Sequence, residues 1–365
     1  MVKKSKSETV ITDNALLTVL AQLRKKFGSK SIGTISQTCK ELSGIIPTPV
    51  IGINKALVIE GFPQGRIVEI YGPEGAAKTT LVLETLREAI SLIPNKQTAF
   101  IDMEHALDPN YPKLLGIPEE NMFYSTPPTA EDAMDILMSL ARSGAFSAIA
   151  LDSVASLTPA AEMEGNAGDQ TVGAQARLLS KELRKLAFVA RETDTLLIFL
   201  NQQRMNVNTM GYGSPVTTPG GKALKYYASI RMELKVVQTL KKGEDDIGKR
   251  IKVTVHKNKL APQGKKAYFD LIYGEGIDSC GEILDLGIKE SILTLTGRSY
   301  FYNNVSIGGS RDAARRSLHD SLELKNEIKD KILVSINPIV NMETGEIING
   351  ESDSESSGDA EELIV

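Results

Sequence analysis

A run of nine residues has the composition and setting of a phosphate-binding loop. It follows the apolar segment 67–71 and leads into a helix-like segment. Backbone N–H groups of such a loop surround a phosphate, a lysine reaches the outer phosphate oxygens, and a hydroxyl holds Mg²⁺. Lys78 and Thr79 fit the last two roles, so nucleotide binding is the first hypothesis. The residues expected to contact the nucleotide are Gly72, Pro73, Glu74, Gly75, Ala76, Ala77, Lys78, Thr79 and Thr80.

The residue before the lysine departs from the usual form of this loop. Ala77 stands where glycine is usual. Glycine adopts positive φ without strain, so alanine is tolerated here only if its φ is negative and its methyl group stays clear of the phosphate. A turn of this kind also joins strands to helices in proteins that bind no nucleotide, so the motif needs support from other residues.

Three polar residues near the ends of apolar runs supply that support. Asp152 and Gln202 end two of the runs, and Glu104 follows a third. The carboxyl ends of parallel strands meet at one edge of a sheet, where ligands bind. Singly, each residue fits a cap or a turn equally well. Together with the phosphate-binding loop, their order favours a site for nucleotide hydrolysis.

Each of these residues has a distinct expected role. Asp152 would complete a Mg²⁺ site with Thr79. Glu104 would be the base that activates water for attack on the γ-phosphate. The amide of Gln202 would respond to the presence of that phosphate.

The elements that must position these residues alternate between strand and helix patterns. Continuous apolar runs of this kind are typical of parallel strands that are covered on both faces. Strands that alternate with helices indicate a βαβ architecture, and the later strands predict an antiparallel extension of the same sheet. The predicted strands are 67–71, 99–102, 148–152, 196–200, 229–238, 251–256 and 266–272. The predicted helices between the early strands are 80–92, 131–143 and 173–191.

We expect four parts along the chain. Residues 1–45 form an N-terminal helical arm, with an amphipathic helix at 14–27, and 31–63 is read as a linker into the core. Residues 46–277 form the ATPase core. A small α+β C-terminal domain occupies 278–340, and the acidic end, 341–365, is expected to be disordered.

Composition narrows the class of protein. The chain has 365 residues, 41% hydrophobic and 24% charged, which is ordinary for a globular protein. No segment has the length of a membrane span, and the basic start is not followed by an apolar stretch, so no signal peptide is predicted. Two cysteines and three scattered histidines indicate neither a disulfide framework nor a metal cage, and favour a cytoplasmic location. The net charge of −4 argues against a generally basic nucleic-acid binder.

Five sequence blocks resemble RecA, the family of bacterial homologous recombinases. They are Tyr-Gly-Pro-Glu at 71–74, Phe-Ile-Asp-Met-Glu-His-Ala-Leu-Asp-Pro at 100–109, Leu-Asp-Ser-Val-Ala at 151–155, Ile-Phe-Leu-Asn-Gln at 198–202 and Tyr-Gly-Glu-Gly-Ile at 273–277. The resemblance runs from about residue 14 to 331. It implies an ATP- and Mg²⁺-dependent filament of many copies on single-stranded DNA, which pairs with homologous double-stranded DNA and exchanges strands.

The resemblance also assigns roles around the nucleotide. It supports Glu104 as the catalytic glutamate and Gln202 as the switch between ATP and DNA. It implies that Tyr111 stacks on adenine, although a tyrosine in this context is more often a loop or packing residue. Lys257 and Lys259 match lysines that reach the γ-phosphate held by the neighbouring subunit, which would neutralise transition-state charge in trans. Their alternation on a strand end fits a solvated edge as well.

Two polar loops, 164–173 and 203–219, match the family's DNA-binding loops. Long polar loops in compact domains are commonly functional, and apolar or aromatic side chains within them can meet unstacked bases. Without the resemblance, the arginines on the following helix would fit a solvated face. The expected DNA contacts and hinge glycines are Val172, Arg177, Arg184, Arg204, Met205, Met210, Tyr212, Gly220 and Gly221.

The C-terminal domain and the tail carry opposite charges. The tail 351–365 holds six acidic residues and no basic one, so it is expected to compete with duplex DNA for a basic surface. The residues expected to form that surface are Arg298, Arg311, Arg315, Arg316, Lys325 and Lys329.

Two other classes stay open. A filament scaffold that uses ATP as a switch with little hydrolysis is compatible with Ala77. A ring-shaped motor shares the same core, but the N-terminal arm and the two loops speak against it.

Overall fold

The computed structural model describes residues 11–29, 31–34, 42–164, 173–205, 216–336, 339–340 and 347–348. Val172, Met210, Tyr212 and the tail 351–365 lie outside the described residues. For Arg204 and Met205 the structure describes the backbone.

The strands are, in chain order, β1 (Ile45–Ile46), β2 (Phe62–Pro63), β3 (Ile67–Gly72), β4 (Gln97–Asp102), β5 (Met122–Ser125), β6 (Phe146–Asp152), β7 (Leu196–Gln202), β8 (Arg204–Met205), β9 (Val216–Thr217), β10 (Ile230–Lys242), β11 (Asp245–Asn258), β12 (Lys266–Ile272), β13 (Gly276–Ile277), β14 (Thr294–Thr296), β15 (Ser299–Tyr302), β16 (Val305–Gly308), β17 (Ile339–Val340) and β18 (Ile347–Ile348).

The α-helices are, in chain order, α1 (Ile11–Phe27), α2 (Ile51–Leu57), α3 (Lys78–Leu92), α4 (Asn110–Leu114), α5 (Ala130–Ser143), α6 (Ala160–Glu164), α7 (Ala174–Thr193), α8 (Ala223–Tyr227), α9 (Ser279–Lys289), α10 (Arg311–Asp320) and α11 (Leu322–Ile336).

A nine-stranded sheet forms the centre of the molecule, in the order β13-β12-β11-β10-β3-β7-β6-β4-β5. The pairs from β10 through β3, β7, β6 and β4 to β5 are parallel, and β10 to β13 pair antiparallel. Strands β3, β6 and β7 are buried almost throughout, because one hydrophobic cluster packs on each face of the sheet. The predicted parallel sheet with an antiparallel extension is confirmed.

The prediction that 31–63 is a linker is wrong for its second half. The seven-residue helix α2 buries Ile53 and Leu57 completely, and β1 pairs with β2 around the buried Ile46 and Phe62. The abundance of Ser, Thr, Gly and Pro hid these short apolar elements, which are part of the main core. Burial decides their structure where local composition does not.

The C-terminal part contains a small sheet as well as helices. Strands β14, β15 and β16 form a three-stranded antiparallel sheet, and α9, α10 and α11 pack with it around a hydrophobic cluster that also includes Ile51 of α2. This is the expected α+β composition. Buried residues of that cluster include Leu284, Leu318 and Ile332.

The N-terminal helix leaves its apolar side chains exposed. Leu16, Leu17, Val19 and Phe27 are each at least half accessible in the single chain. An isolated amphipathic helix gains little from such a face unless another surface covers it. Among the described residues no helix has the length and apolar composition of a membrane span.

Candidate active site

The predicted site residues lie at the carboxyl ends of neighbouring strands. Strand β3 runs into the loop 72–80, β7 beside it ends at Gln202, and β6 beside β7 ends at Asp152. Strand β4, beside β6, ends at Asp102, whose register partner is Asp152. The predicted grouping at the carboxyl ends of parallel strands is therefore present.

Lys78 begins helix α3 and turns back over the loop that precedes it. Its Nζ donates to the carbonyl of Gly72 at 3.2 Å and to that of Pro73 at 2.8 Å. Burial lowers the pKa of Lys78, and the carboxylates of Asp152, Glu104 and, less strongly, a loop glutamate oppose that shift. A partly buried cation surrounded by backbone carbonyls at a helix N-terminus is placed to pair with a phosphate.

The condition on Ala77 is not met. Ala77 has φ 59° and ψ 25°, in the left-handed region, whereas the sequence-based argument required a negative φ. The turn from β3 into α3 imposes this conformation, which costs a residue with a Cβ about 1 kcal/mol or more. Ala77 is nonetheless buried and its methyl group belongs to the main hydrophobic cluster, so packing compensates part of the strain.

Thr79 and Asp152 meet directly. The Thr79 hydroxyl donates to Asp152 Oδ2 at 2.7 Å. Burial raises the pKa of Asp152 to about 6; the hydrogen bond from Thr79 and the charge of Lys78 oppose the shift, and the nearby carboxylate of Glu104 adds to it. A hydroxyl and a carboxylate are the hard oxygen ligands that Mg²⁺ accepts, together with phosphate oxygens and water.

The donor set therefore fits Mg²⁺ that is shared with a nucleotide. The described residues contain no group of three or more His, Cys, Asp or Glu side chains that could hold a metal ion alone. A Mg²⁺ ion bound through one or two protein oxygens does not require such a cage.

Glu104 is exposed and is held by two side chains. The Ser153 hydroxyl donates to its Oε1 at 2.6 Å, and the Gln202 amide donates to the same oxygen at 3.0 Å. Below it, buried Asp102 accepts hydrogen bonds from four successive backbone N–H groups, those of residues 104–107. This fixes the turn that carries Glu104, so its carboxylate is both accessible and oriented.

Tyr111 lies beside the start of helix α3. Its hydroxyl is 2.6 Å from the Thr80 hydroxyl, and its ring packs against the main hydrophobic cluster. The structure thus places Tyr111 near the loop 72–80, in a packed position with one polar contact.

Lys257 and Lys259 lie at the end of β11 and contact helix α8. The Lys257 Nζ donates to the carbonyl of Lys225 at 2.6 Å and to that of Tyr226 at 3.1 Å, and the Lys259 Nζ donates to Tyr226 at 3.0 Å. Burial and the charge of Lys259 lower the pKa of Lys257. These contacts join the two lysines to the helix that follows the loop 203–219.

Helix α7 presents a basic face that begins at the end of the loop 164–173. Arg177 and Arg184 are exposed on it, two turns apart, and neither has an ion-pair partner within the described residues. Together with Lys181 and Lys185, which both pair with Glu182, they line an open groove of about 520 Å³. Such a row of cations suits a phosphate backbone.

Gly220 and Gly221 sit where the second loop returns to the core. Their φ angles are 84° and 74°. A Cβ on Gly220 would lie 2.8 Å from Leu179 and Val154, and one on Gly221 would lie 2.9 Å from Ala176. Glycine is required at both positions by conformation and by space.

Several residues of the site were not found from the sequence. The roles of Asp102 and Ser153 depend on a turn and on a neighbouring strand, which their local sequence does not indicate. Lys181 and Lys185 follow Arg177 at intervals of four residues, and this spacing in the sequence indicates a basic face on a helix. Lys249 donates to the carbonyl of Gly75 at 3.3 Å, which only the sheet register reveals.

Three of the six basic residues predicted to form the duplex-landing surface have polar partners within the fold. Arg311 pairs with Asp285, Arg315 pairs with Asp278 and Glu275, and Lys325 donates to the Ser279 hydroxyl. These three basic residues hold the domain to itself and to the core. Arg298, Arg316 and Lys329 have no ion-pair partner within the described residues.

The fold and the site define a P-loop nucleotide hydrolase. Residues 14–278 match the RecA N-terminal domain and residues 281–337 match the RecA C-terminal domain. Proteins named "Protein RecA" are similar over most of the chain. That from Helicobacter hepaticus is 47% identical over 318 residues, 87% of this chain and 92% of that protein, and that from Sulfurovum sp. is 45% identical over 318 residues, 87% and 91%. That from Nocardia farcinica is 43% identical over 320 residues, 88% and 91%.

A solved structure, "Crystal structure of the RadB recombinase", is similar with a TM-score of 0.45 and 22% identity, over 62% of this chain and 95% of that one. The chain belongs to the RecA family. It is an ATP-dependent recombinase and a DNA-dependent ATPase of DNA recombination and repair.

Proposed function

We propose that this recombinase assembles as a helical filament on single-stranded DNA, pairs it with homologous double-stranded DNA and exchanges the strands, with ATP and Mg²⁺ bound between subunits. One observation carries the proposal. Gln202 touches the carboxylate of Glu104 at 3.0 Å and directly precedes the loop 203–219. A single residue thus joins the hydrolytic base to the segment expected to bind DNA.

Within one subunit, the loop 72–80 binds the phosphates. Lys78 pairs with the outer phosphate oxygens, and Thr79 with Asp152 supplies the oxygens that hold Mg²⁺, whose chemistry is to neutralise phosphate charge. Glu104, fixed by Ser153 and by the turn at Asp102, accepts the proton of the attacking water. Tyr111 and Thr80 border the nucleotide beside helix α3.

The neighbouring subunit completes this site. Lys257 and Lys259 reach the γ-phosphate of the adjacent copy and neutralise charge in the transition state. Within their own subunit these side chains contact the carbonyls of Lys225 and Tyr226. The exposed apolar face of α1 docks on the next copy, because burial of such a face is favourable.

DNA binding uses the two loops and the start of α7. Arg177 and Arg184 pair with phosphates, and Gly220 and Gly221 form the hinge of the second loop. Side chains within the loops contact the bases. We assign this role to Val172, Arg204, Met205, Met210 and Tyr212.

The four-part organisation stays part of the proposal: an arm at 1–45, the ATPase core at 46–277, a C-terminal domain at 278–340 and an acidic tail at 341–365. The boundary near 278 is supported by the C-terminal cluster, whose buried members all lie beyond 278 except Ile51 of α2, while other clusters flank the sheet. From its cysteine usage we place the protein in the cytoplasm.

ATP hydrolysis measured with and without single-stranded DNA, alongside electron microscopy of the same samples, tests the proposal. We expect DNA to stimulate hydrolysis strongly and open helical filaments to form. Closed rings, or hydrolysis that DNA does not stimulate, would contradict it.

A filament scaffold with little hydrolysis is the second candidate, and the positive φ of Ala77 favours it. Strain at the residue before Lys78 can displace the phosphates from the position that catalysis needs. DNA-bound filaments with negligible hydrolysis would identify this alternative. Ala77→Gly would then restore turnover, because glycine adopts this φ without strain.

A further inference from the structure

A hydrogen-bonded group of three side chains joins the second loop to the strand that carries Lys257. The amide of Gln203 donates to Glu233 Oε1, and His256 Nε2 lies 3.0 Å from Glu233 Oε2. Gln203 is the first residue of the loop 203–219, Glu233 is on β10, and His256 directly precedes Lys257 on β11. One carboxylate therefore bridges two segments to which we assign separate functions.

The start of the loop is also tied to the nucleotide site. The backbone N–H of Gln203 donates to the carbonyl of Gly72 at 3.2 Å, and the same carbonyl accepts from the Lys78 Nζ at 3.2 Å. The side chain of Gln202, one residue earlier, contacts Glu104. A movement of Gln202 and Gln203 therefore changes contacts to Glu104, to the phosphate-binding loop and to Glu233.

Rigid contacts lie beneath this group. Arg231, two residues before Glu233, forms an ion pair with the fully buried Glu69, which also accepts from the Asn201 amide at 3.1 Å. The Arg231 guanidinium lies 4.8 Å from the centre of the Tyr71 ring. These buried contacts fix β3, β7 and β10 relative to one another, so they are not the part that moves.

The bridge itself is accessible. The side chain of Glu233 is 26% exposed and that of His256 is 44% exposed. Hydrogen bonds from His256 and Gln203 hold the pKa of Glu233 below its ordinary value, although burial works in the opposite direction. Glu233 is therefore a charged acceptor at neutral pH, and hydrogen bonds to a charged group are the stronger kind.

The other end of the loop 203–219 is connected to β11, the strand that carries His256. Helix α8, which follows Gly221, offers the carbonyls of Lys225 and Tyr226 to Lys257 and Lys259. The loop 203–219 is thus connected to the end of β11 on both sides, through Glu233 at its start and through α8 at its end.

We propose that Glu233 is a positioning residue, which transmits the DNA-bound arrangement of the second loop to His256 and so places Lys257 and Lys259 for the neighbouring subunit. This rests on the proposed roles of the loop and of the two lysines. Gln203 and His256 each contact one oxygen of the same carboxylate, so a change at the loop that displaces Glu233 alters the position of His256 and of the lysine beside it.

Glu233→Leu removes the bridge, because leucine has no oxygen that Gln203 or His256 can bind. We expect the hydrolysis rate at saturating single-stranded DNA to fall about tenfold, because the free energy of one hydrogen bond to a charged group corresponds to a factor of about that size. Hydrolysis without DNA, DNA affinity and the melting temperature should stay close to those of the parent protein. Glu244→Leu, which removes an exposed carboxylate at the turn between β10 and β11, is the matched control and should leave all four quantities unchanged.

A double-mutant cycle separates transmission from a general loss of stability. His256→Leu should reduce DNA-stimulated hydrolysis as Glu233→Leu does, and the double variant should lose little more than either single one, because both break one link. If Glu233→Leu does not fold, Glu233→Gln with His256→Leu supplies the same cycle. Effects that multiply in the double variant, or stimulation that both variants retain, would overturn the proposal.

Lys257→Ala, measured in parallel, distinguishes this inference from the proposed function. If Lys257→Ala abolishes stimulated hydrolysis while Glu233→Leu preserves it, the coupling is wrong and the shared site stands. If Lys257→Ala retains full stimulation, the role of the lysine in the shared site is wrong, and transmission through Glu233 to that lysine is overturned with it.

Discussion

The side-chain amide of Gln202 donates to Glu104 Oε1 at 3.0 Å. Gln202 ends β7 and Glu104 follows β4, so the contact spans two strands of the central sheet, with β6 between them. An amide that binds the carboxylate of the base can hold it away from water or release it. This contact makes hydrolysis sensitive to whatever moves the loop after Gln202.

Glu104→Gln tests the base. Glutamine keeps the shape of the side chain, so ATP and DNA affinity should be retained. Without a proton acceptor, hydrolysis should fall by roughly 10²- to 10⁴-fold. Glu162→Gln, in the exposed helix α6, is the control. Turnover near that of the parent protein would remove Glu104 from this role.

Lys78→Ala tests the phosphate contact. The Lys78 Nζ is held by the carbonyls of Gly72 and Pro73 at the start of α3, where a nucleotide phosphate would pair with it. We expect nucleotide affinity to be lost in direct binding measurements, while the melting temperature without nucleotide changes little. An unchanged dissociation constant would mean that the loop has only a structural role.

Gly221→Ala tests the second hinge glycine. The new Cβ would lie 2.9 Å from Ala176, at a φ of 74°, so we expect a loss of about 1–3 kcal/mol in the free energy of unfolding. Gly243→Ala is the matched control, because Gly243 has φ 66° and open space around its Cβ position. Equal losses of unfolding free energy in the two variants would show that backbone strain alone requires glycine at 221, and that the close approach to Ala176 does not.

Stability should fall with rising pH through Glu282. Burial raises its pKa to about 7, although the backbone N–H groups of Gly52 and Ile51, at 2.7 and 2.9 Å, favour the charged form. The folded pKa lies above the unfolded value, so the folded state binds the proton more tightly. The stabilisation is therefore complete below about pH 4.5 and is lost as the pH rises to about 7.

The size of that loss is at most about 3 kcal/mol, and partial exposure of the side chain reduces it. The loss is measured from the free energies of unfolding of the parent protein and of Glu282→Gln between these pH values. The contributions of other titrating groups cancel in the difference between the two proteins. Glu323→Gln, at the exposed start of α11, controls for the loss of a surface charge. Parallel pH profiles for the parent protein and Glu282→Gln would contradict this account.

Deleting 351–365 tests the acidic tail, which lies outside the described residues. The sequence leads us to expect that its six carboxylates compete with duplex DNA for basic residues of the C-terminal domain. The deletion should raise duplex affinity at low salt, and the difference should shrink as ionic strength rises. Identical affinities at low salt would show that the tail does not compete.

The pattern of strands and the residues at their ends followed from local sequence. Apolar runs ended by Asp152 and Gln202 gave both the parallel sheet and the edge where the site lies. The loop 72–80 and Glu104 were readable because each role belongs to a residue type at a fixed place near a strand end.

Other features depend on distant parts of the chain. Helix α2 forms because the core buries it, and the sign of φ at Ala77 is set by the turn between β3 and α3. Arg311 and Arg315 counted as free cations in the sequence, yet their partners come from other elements of the fold. The bridge at Glu233 requires the register of β10 and β11, which composition does not encode.

If the hydrolytic site is shared between subunits, as we propose, two variants that are inactive alone should restore hydrolysis when they are mixed. Glu104→Gln lacks the base but keeps Lys257, and Lys257→Ala keeps the base, so each alone should be inactive on single-stranded DNA. In an equal mixture, about a quarter of head-to-tail interfaces combine an intact base with an intact lysine. We expect DNA-stimulated hydrolysis to recover to about that fraction of the parent rate; a mixture as inactive as the two separate variants would show that the site is not shared.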